Sequence, residues 1–178
     1  MCADYFVPVD VDPRFRGPFV ADERATYLEH LRRQRQTLEL KCDGLDAADL
    51  ARRSAEPSSM SLLGLVRHIA DAELGWYRQV MAGLDAPFHF RTETDRDAAF
   101  NDVAPDPEQV ERAWEAWRAE TAFADQFIVD APSLDIAGRH REGPVSLRWV
   151  VVHMIEEYAR HLGHADLLRE RIDGRAGL

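Results

Sequence analysis

The chain has 178 residues, 46% of them hydrophobic and 30% charged, which is enough apolar sequence for one compact domain with its own core. Acidic residues outnumber basic residues by 32 to 22, and the formal net charge of -10 excludes nucleic acid as an expected partner, because its phosphates would repel the protein. No stretch approaches the ~20 apolar residues of a membrane-spanning helix, and the N-terminus lacks a cleavable apolar segment, so we expect a cytoplasmic protein with no membrane partner.

The N-terminal part of the sequence predicts an extended segment followed by a helix. Residues 1–21 contain three prolines and no helical periodicity, so we predict an extended lead-in ahead of a domain over 22–178. Apolar residues recur at helical spacing from Asp22 onwards, and the pattern ends before Gly44. The first helix is therefore predicted between these two residues.

The two cysteines are isolated from each other in the sequence. Neither Cys2 nor Cys42 belongs to a C-x-x-C pair, which excludes a zinc knuckle and a disulfide framework. Cys42 continues the apolar face of the first predicted helix. We therefore interpret it as a small buried hydrophobic residue rather than as a catalytic thiol.

A second helix is predicted from about Ser59 to Met81, ending at Gly83, and the serines at its start can cap the first turn. The segment 86–105 that follows is polar and irregular and is the longest connection in the chain. Connections of this length in compact domains often form binding loops or lids.

A third helix is predicted to begin at Asp106, because Pro107 in the first turn is typical of a helix start. After it, residues 130–144 form a second long connection that contains two prolines and two glycines. Residues 133–142 alternate weakly between apolar and polar residues, and this is the only indication of a strand.

The fourth predicted helix opens at Ser146 and extends to about Ile172, with Gly174 as its stop. Four long helices joined by two long connections are typical of a four-helix bundle. The sequence therefore predicts an all-α fold of this architecture, with the extended lead-in in front of it.

Three of the seven histidines lie in the run VVHMIEEYARHLGHADLL of the fourth predicted helix. At about 100° per residue, His153, His161 and His164 all lie within about 40° of Glu157 around the helix axis. This strip adjoins the apolar face of the helix, where a buried carboxylate is costly unless it is paired or binds a cation. The pattern therefore indicates a metal site.

Glu157 and His161 are four residues apart and would direct two ligands to one point, so a third ligand must come from another helix. His68 is the only histidine of the second predicted helix and lies at the edge of its apolar face. Two histidines and one carboxylate leave coordination positions open, which suits Zn²⁺ best and also Ni, Fe or Mn. The alternative is a group of hydrogen-bonded histidines at the edge of the core, without a metal.

Small residues lie one turn from His68 on either side, at Gly64 and Ala72, and Gly75 lies near the same face. They allow either close helix packing or a groove beside a bound ion.

His153 and His164 are secondary candidates, each as a partner of a ligand, an alternative ligand or a proton shuttle. We assign no role to the remaining histidines, which are His30, His89 and His140.

The segments SLLGLVRHIADAELGWYRQVMAGLD and SLRWVVVHMIEEYARHLGHADLLRERIDG resemble the DinB-like (YfiT-like) superfamily of metalloenzymes, and more narrowly its mycothiol-transferase-like subfamily. The resemblance implies an up-down-down-up four-helix bundle that forms a homodimer. The usual metal site of the superfamily is a histidine on the second helix with an H-x-x-x-H pair on the last. Here Glu157 replaces the first histidine of the pair, as in the similar motif of mycothiol-dependent maleylpyruvate isomerase. The resemblance thus implies His68, Glu157 and His161 as ligands.

For function, the resemblance implies a transferase acting on a small-molecule substrate. A divalent metal would hold the thiol of a low-molecular-weight cofactor such as mycothiol as a thiolate, which would attack a small electrophile. An arginine-rich groove would hold carboxylates of the thiol cofactor, and Arg67, Arg78 and Arg160 are near the ligands in sequence. Two alternatives stay open: a metal-dependent hydrolase that activates water, and a non-enzymatic stress-response or binding protein with a structural metal.

Overall fold

The computed structural model describes residues 12, 14 and 16–176, and the fold is mostly helical. In chain order its elements are α1 (Glu23–Cys42), α2 (Ala47–Ala51), α3 (Leu62–Glu73), a π-helix over Leu74–Met81, α4 (Ala98–Asn101), α5 (Pro107–Asp130), β1 (Ala137–His140), β2 (Gly143–Ser146) and α6 (Leu147–Asp173). Within this part of the chain, no helix is both long enough and apolar enough to cross a membrane.

Local capping residues begin and end the long helices at the predicted places. Asp22 caps α1 and Asp106 caps α5, each through a side-chain carboxylate that accepts a hydrogen bond from a backbone N–H of the first turn. Ser146 caps α6 through its hydroxyl, which accepts a hydrogen bond from the Trp149 N–H. Gly174 ends α6 with φ of 80°, the left-handed conformation that glycine adopts without steric cost.

The second predicted helix differs at its start and in its second half. Ser61, not Ser59, supplies the cap, because its hydroxyl accepts a hydrogen bond from the Gly64 N–H at 3.1 Å. The helix then changes from α to π geometry over Leu74–Met81. Such segments within α-helices are often found at functional sites.

The prediction of an all-α fold is wrong over residues 137–146, where β1 and β2 form an antiparallel hairpin. Gly138 lies directly against the end of the π-helix, and a Cβ atom there would stand 2.4 Å from the carbonyl oxygen of Val80. The weak alternation over 133–142 therefore covers β1, whereas β2 follows it in the sequence. The hairpin packs on the π-helix, and local pattern does not reveal such a tertiary contact.

The core lies between the long helices, because α1 packs on α6 and α3 packs on both α5 and α6. Within it, the carboxylate of Glu73 accepts hydrogen bonds from Arg35 at 2.8 Å and from the Tyr158 hydroxyl at 2.9 Å. Trp117 Nε1 donates to the same tyrosine hydroxyl at 2.9 Å. These four side chains form a buried polar network, and each comes from a different long helix.

Most of the predicted lead-in, including Cys2, lies outside the described residues. Asp12 and Arg14 are described, and they form a buried ion pair. Arg14 also donates a hydrogen bond to the hydroxyl of Thr37 on α1, so this part of the lead-in packs on the first helix. The division of the chain at residue 22, the four-helix bundle architecture and its up-down-down-up order stay predictions.

Candidate metal centre and its cavity

The three side chains predicted as ligands lie together. Oε1 of Glu157 is 3.0 Å from Nε2 of His68 and 3.3 Å from Nε2 of His161. One donor atom of each residue lies within 4.8 Å of the other two. The helices α3 and α6 therefore bring together the two-histidine, one-carboxylate group, which we call the triad.

The electrostatics of the triad suit a cation. Hydrogen bonds from His161 and His68 hold the pKa of Glu157 well below its usual range, although burial acts in the opposite direction. The three side chains are between 13% and 32% exposed, so their donor atoms lie at the edge of the core and remain reachable from outside. An anionic oxygen between two imidazole nitrogens is a donor set that could hold a divalent ion.

The two secondary histidines occupy different surroundings. Nδ1 of His164 lies 3.4 Å from Nδ1 of His161, so it contacts the triad through a proposed ligand. His153 instead stacks on Trp149 with a ring separation of 4.9 Å and meets Trp76 edge-on at 4.8 Å. Of the two histidines that share this strip of α6 with Glu157 and His161, His164 therefore lies beside the triad and His153 lies in an aromatic cluster.

A cavity of about 630 Å³ adjoins the triad, and both His68 and Glu157 line it. Ala72 and Gly75 also line this cavity, as expected for a groove beside an ion. Gly64 serves close packing instead, because a Cβ atom there would stand 2.7 Å from the ring of Phe100. Both interpretations of the small residues on this helix therefore apply, at different positions.

The long connection between the π-helix and α5 forms one wall of the cavity. Its backbone is fixed by Asp71, whose carboxylate accepts hydrogen bonds from the N–H groups of His89, Phe90 and Arg91. The imidazole of His89 lies 3.0 Å from the buried carboxylate of Glu120 on α5. His89, to which the sequence assigned no role, therefore anchors this wall to the core.

The arginines at the cavity are not the ones that lie near the triad in sequence. Arg67 donates to backbone carbonyl groups of the loop around α4, and Arg78 pairs with Glu120. The arginines that line the cavity come from the two long connections and are Arg91, Arg96, Arg139 and Arg141. These arginines are too far from the triad in sequence to be predicted as its neighbours. The unusual length of both connections was the only feature of the sequence that indicated a role for them in the site.

Aromatic rings form a second wall of the cavity. Trp76, carried by the π-helix, lines it together with His140 of the hairpin, and their rings stack at 5.2 Å with an angle of 22°. Phe88 of the long connection lies on the same cavity. The hairpin, which the sequence indicated only by a weak alternation, thus supplies an aromatic ring and two arginines to the cavity.

Comparison with known proteins identifies the family. A family model described as mycothiol-S-transferase matches residues 26–174, which include the whole triad. A crystal structure of a conserved protein from Enterococcus faecalis has a similar fold, with a TM-score of 0.61 and 18% identity, covering 87% of this chain and 99% of that one. A search of curated proteins finds no significant match. With a family match over most of its length, the chain belongs to the mycothiol-S-transferase family.

Proposed function

We propose that the protein is a divalent-metal-dependent thiol S-transferase, which joins the thiol of a low-molecular-weight cofactor such as mycothiol to a small electrophile. The observation that carries the proposal is the convergence of His68, Glu157 and His161 at the edge of a large cavity. Membership of the mycothiol-S-transferase family supports the thiol as the co-substrate. The nitrogen and oxygen donors suit Zn²⁺ best among the common divalent ions.

The triad would hold the ion through Nε2 of each histidine and a carboxylate oxygen of Glu157. Bound there, a divalent ion supplies the positive charge that keeps a thiol ionised at neutral pH. Glu157 offsets part of that charge, and His164, in contact with His161, orients the ring of this ligand. Because His68 and Glu157 line the cavity, an ion held by the triad would lie beside the space that could admit the thiol and the electrophile.

The reaction forms a carbon–sulfur bond at the electrophilic carbon. The thiol proton passes to solvent, and the leaving group departs with the electron pair of the bond that breaks. With an activated alkene no group leaves, and the adjacent carbon takes up a proton instead. The cavity has the volume of an ordinary small-molecule site, so it can hold both the reacting group of the thiol and a small electrophile.

Metal content and thiol dependence test this proposal together. We expect about one equivalent of divalent metal per chain in the purified protein and a large loss in a His68→Ala variant. His30→Ala is the matched control, because His30 is an exposed histidine of α1 away from the triad. Unchanged metal content in His68→Ala would contradict the proposed ligands.

Turnover of a panel of electrophiles, measured with and without mycothiol, then addresses the chemistry. An S-transferase consumes the electrophile only with the thiol and forms a thioether of the two. Equal consumption without the thiol would identify a hydrolase and overturn the proposal.

A further inference from the structure

We propose that the cavity beside the triad binds the electrophile as an anion, through a carboxylate that the guanidinium groups of the two long connections recognise. That the bound anion is the electrophile rests on the proposed function. The recognition of a carboxylate rests on the cavity alone. The arginines concerned are Arg91, Arg96, Arg139 and Arg141, which we call the arginine wall.

The arginine wall gives the cavity a positive charge that the whole chain lacks. Four arginines line it, against two carboxylates, in a protein whose formal net charge is -10. Both of those carboxylates are already engaged, Glu157 by two imidazoles and Asp71 by three backbone N–H groups. A concentration of positive charge in a cleft raises the local concentration of anions and steers them into it.

The guanidinium groups of the wall are available to a ligand. Among the described residues, no carboxylate pairs with Arg91, Arg96 or Arg139. Arg91 lies over the ring of Phe88 at 4.2 Å, a contact that orients the group without neutralising it. Arg141 pairs with Glu142 at 3.4 Å on the exposed surface, where ion pairs are weak.

The wall is also held in place by the fold. The backbone N–H of Arg91 donates to Asp71, which fixes one side of the cavity to α3. Arg139 belongs to β1, paired with Pro144 of β2, and the hairpin packs closely on the π-helix through Gly138. Groups placed by rigid elements can recognise the planar carboxylate in a bidentate manner with little further ordering.

The rest of the lining indicates the body of the ligand. Trp76, Phe88 and His140 offer flat rings to the same cavity, so a compact, flat or unsaturated body fits beside the carboxylate. Mycothiol carries no carboxylate, because its cysteine carboxyl group forms an amide with the sugar. The expectation that arginines hold carboxylates of the thiol cofactor is therefore wrong for mycothiol. The anion that the arginine wall selects is therefore the second substrate rather than the thiol.

Isophthalate, a flat dicarboxylate, and its neutral isostere isophthalamide are suitable probes, because neither reacts with a thiol. We expect calorimetric titration of the zinc-loaded protein to show at least about tenfold weaker binding of the diamide. Arg139→Gln and Arg91→Gln should each weaken isophthalate binding by about tenfold, and Arg139→Lys should retain part of the affinity. Arg52→Gln is the control, since Arg52 is an exposed arginine outside the cavity, and it should bind like the wild type.

Two further arms separate this proposal from the proposed function. Isophthalate should still bind after zinc is removed by a chelator, with the same sensitivity to Arg139→Gln, whereas mycothiol binding to the zinc-loaded protein should not change in that variant. Three results would each overturn the arginine wall as an electrophile site. The first is equal affinity for isophthalate and isophthalamide, and the second is unchanged isophthalate affinity in both glutamine variants. The third is a loss of mycothiol binding in Arg139→Gln that accompanies the loss of isophthalate binding. Failure of His68→Ala to lose metal would contradict the metal site alone and leave carboxylate recognition standing.

Discussion

At the scale of single residues, the two histidines that share a strip of α6 with Glu157 have different surroundings. His164 contacts His161 of the triad, and His153 stacks on a tryptophan. A residue that orients a metal ligand typically contributes 10- to 100-fold to metal affinity. Position around the helix axis therefore does not decide which of these histidines contacts the triad.

We predict that His164→Ala weakens zinc binding by about 10- to 100-fold, because the ring of His161 loses its neighbour. His153→Ala serves as the matched control from the same helix and should leave zinc affinity unchanged. Competition with a chromophoric chelator measures both variants. Equal affinities of the two variants would assign His164 to the surface rather than to the metal centre.

Cys42 allows a second prediction at this scale. The side chain is buried in the core, and desolvation raises the pKa of its thiol to about 12. Near pH 8 the thiol is therefore protonated as well as inaccessible. In a Cys2→Ser variant, iodoacetamide should not label the native protein and should label it fully after denaturation in guanidinium chloride. Rapid labelling of the native variant would contradict the assignment of Cys42 to the core.

At the scale of elements, the position of the hairpin depends on the close approach of its backbone at Gly138 to the backbone of the π-helix. Gly138→Ala would place a Cβ atom 2.4 Å from the Val80 carbonyl oxygen and 2.9 Å from Cα of Met81. We predict a destabilisation of about 1–3 kcal/mol by urea unfolding, the usual effect of overpacking. The hairpin should also move away from the π-helix, because the backbone atoms of Val80 and Met81 cannot shift aside as a flexible side chain can.

Gly163→Ala is the matched control for this substitution. Gly163 lies in α6, and a Cβ atom there meets nothing within 4 Å. Alanine in place of an exposed helical glycine stabilises a protein by up to about 1 kcal/mol. Opposite signs of the two changes in the free energy of unfolding would support the contact; a neutral Gly138→Ala would contradict it.

The elements also show what sequence could predict and what it could not. Asp22, Asp106, Ser146 and Gly174 act within one turn of their own position, so local pattern was enough to place the helix ends. The hairpin and the arginine wall depend on chain segments that meet only in the folded protein. His68 was predictable because it is the only histidine of its helix, whereas no pattern marked Arg139 as a neighbour of the triad.

At the scale of the whole molecule, the buried polar network joins the four long helices. Arg35 of α1 and Glu73 of α3 are 6% and 0% exposed, and Tyr158 and Trp117 extend the network to α6 and α5. Removing one member of a buried ion pair leaves the other charge without compensation. Because the network includes one side chain from each long helix, the packing of each of these helices depends on the position of the other three.

We predict that Arg35→Met destabilises the protein by about 3–5 kcal/mol, measured by guanidinium unfolding. The double variant Arg35→Met/Glu73→Gln removes both charges of the pair and keeps a side-chain oxygen that can accept from the Tyr158 hydroxyl. It should recover most of this loss, because no uncompensated buried charge remains. Additive losses in the double variant would show that the two side chains contribute independently.

The homodimer implied by the resemblance stays a prediction at this scale, and light scattering of the purified protein would test it. An exposed tryptophan and two exposed aliphatic side chains lie along α6, namely Trp149, Val152 and Leu167.

The hydrogen bonds that Asp71 accepts from three backbone N–H groups have a consequence for how this family could diversify. Asp71 holds this part of the cavity wall through the backbone N–H groups of residues 89–91 and not through their side chains. Substitution of loop side chains that line the cavity, such as Phe88 and Arg91, can thus alter its size and charge while Asp71 holds the main-chain path in place. Selection for a new ligand can therefore act on the loop side chains while the triad keeps its geometry.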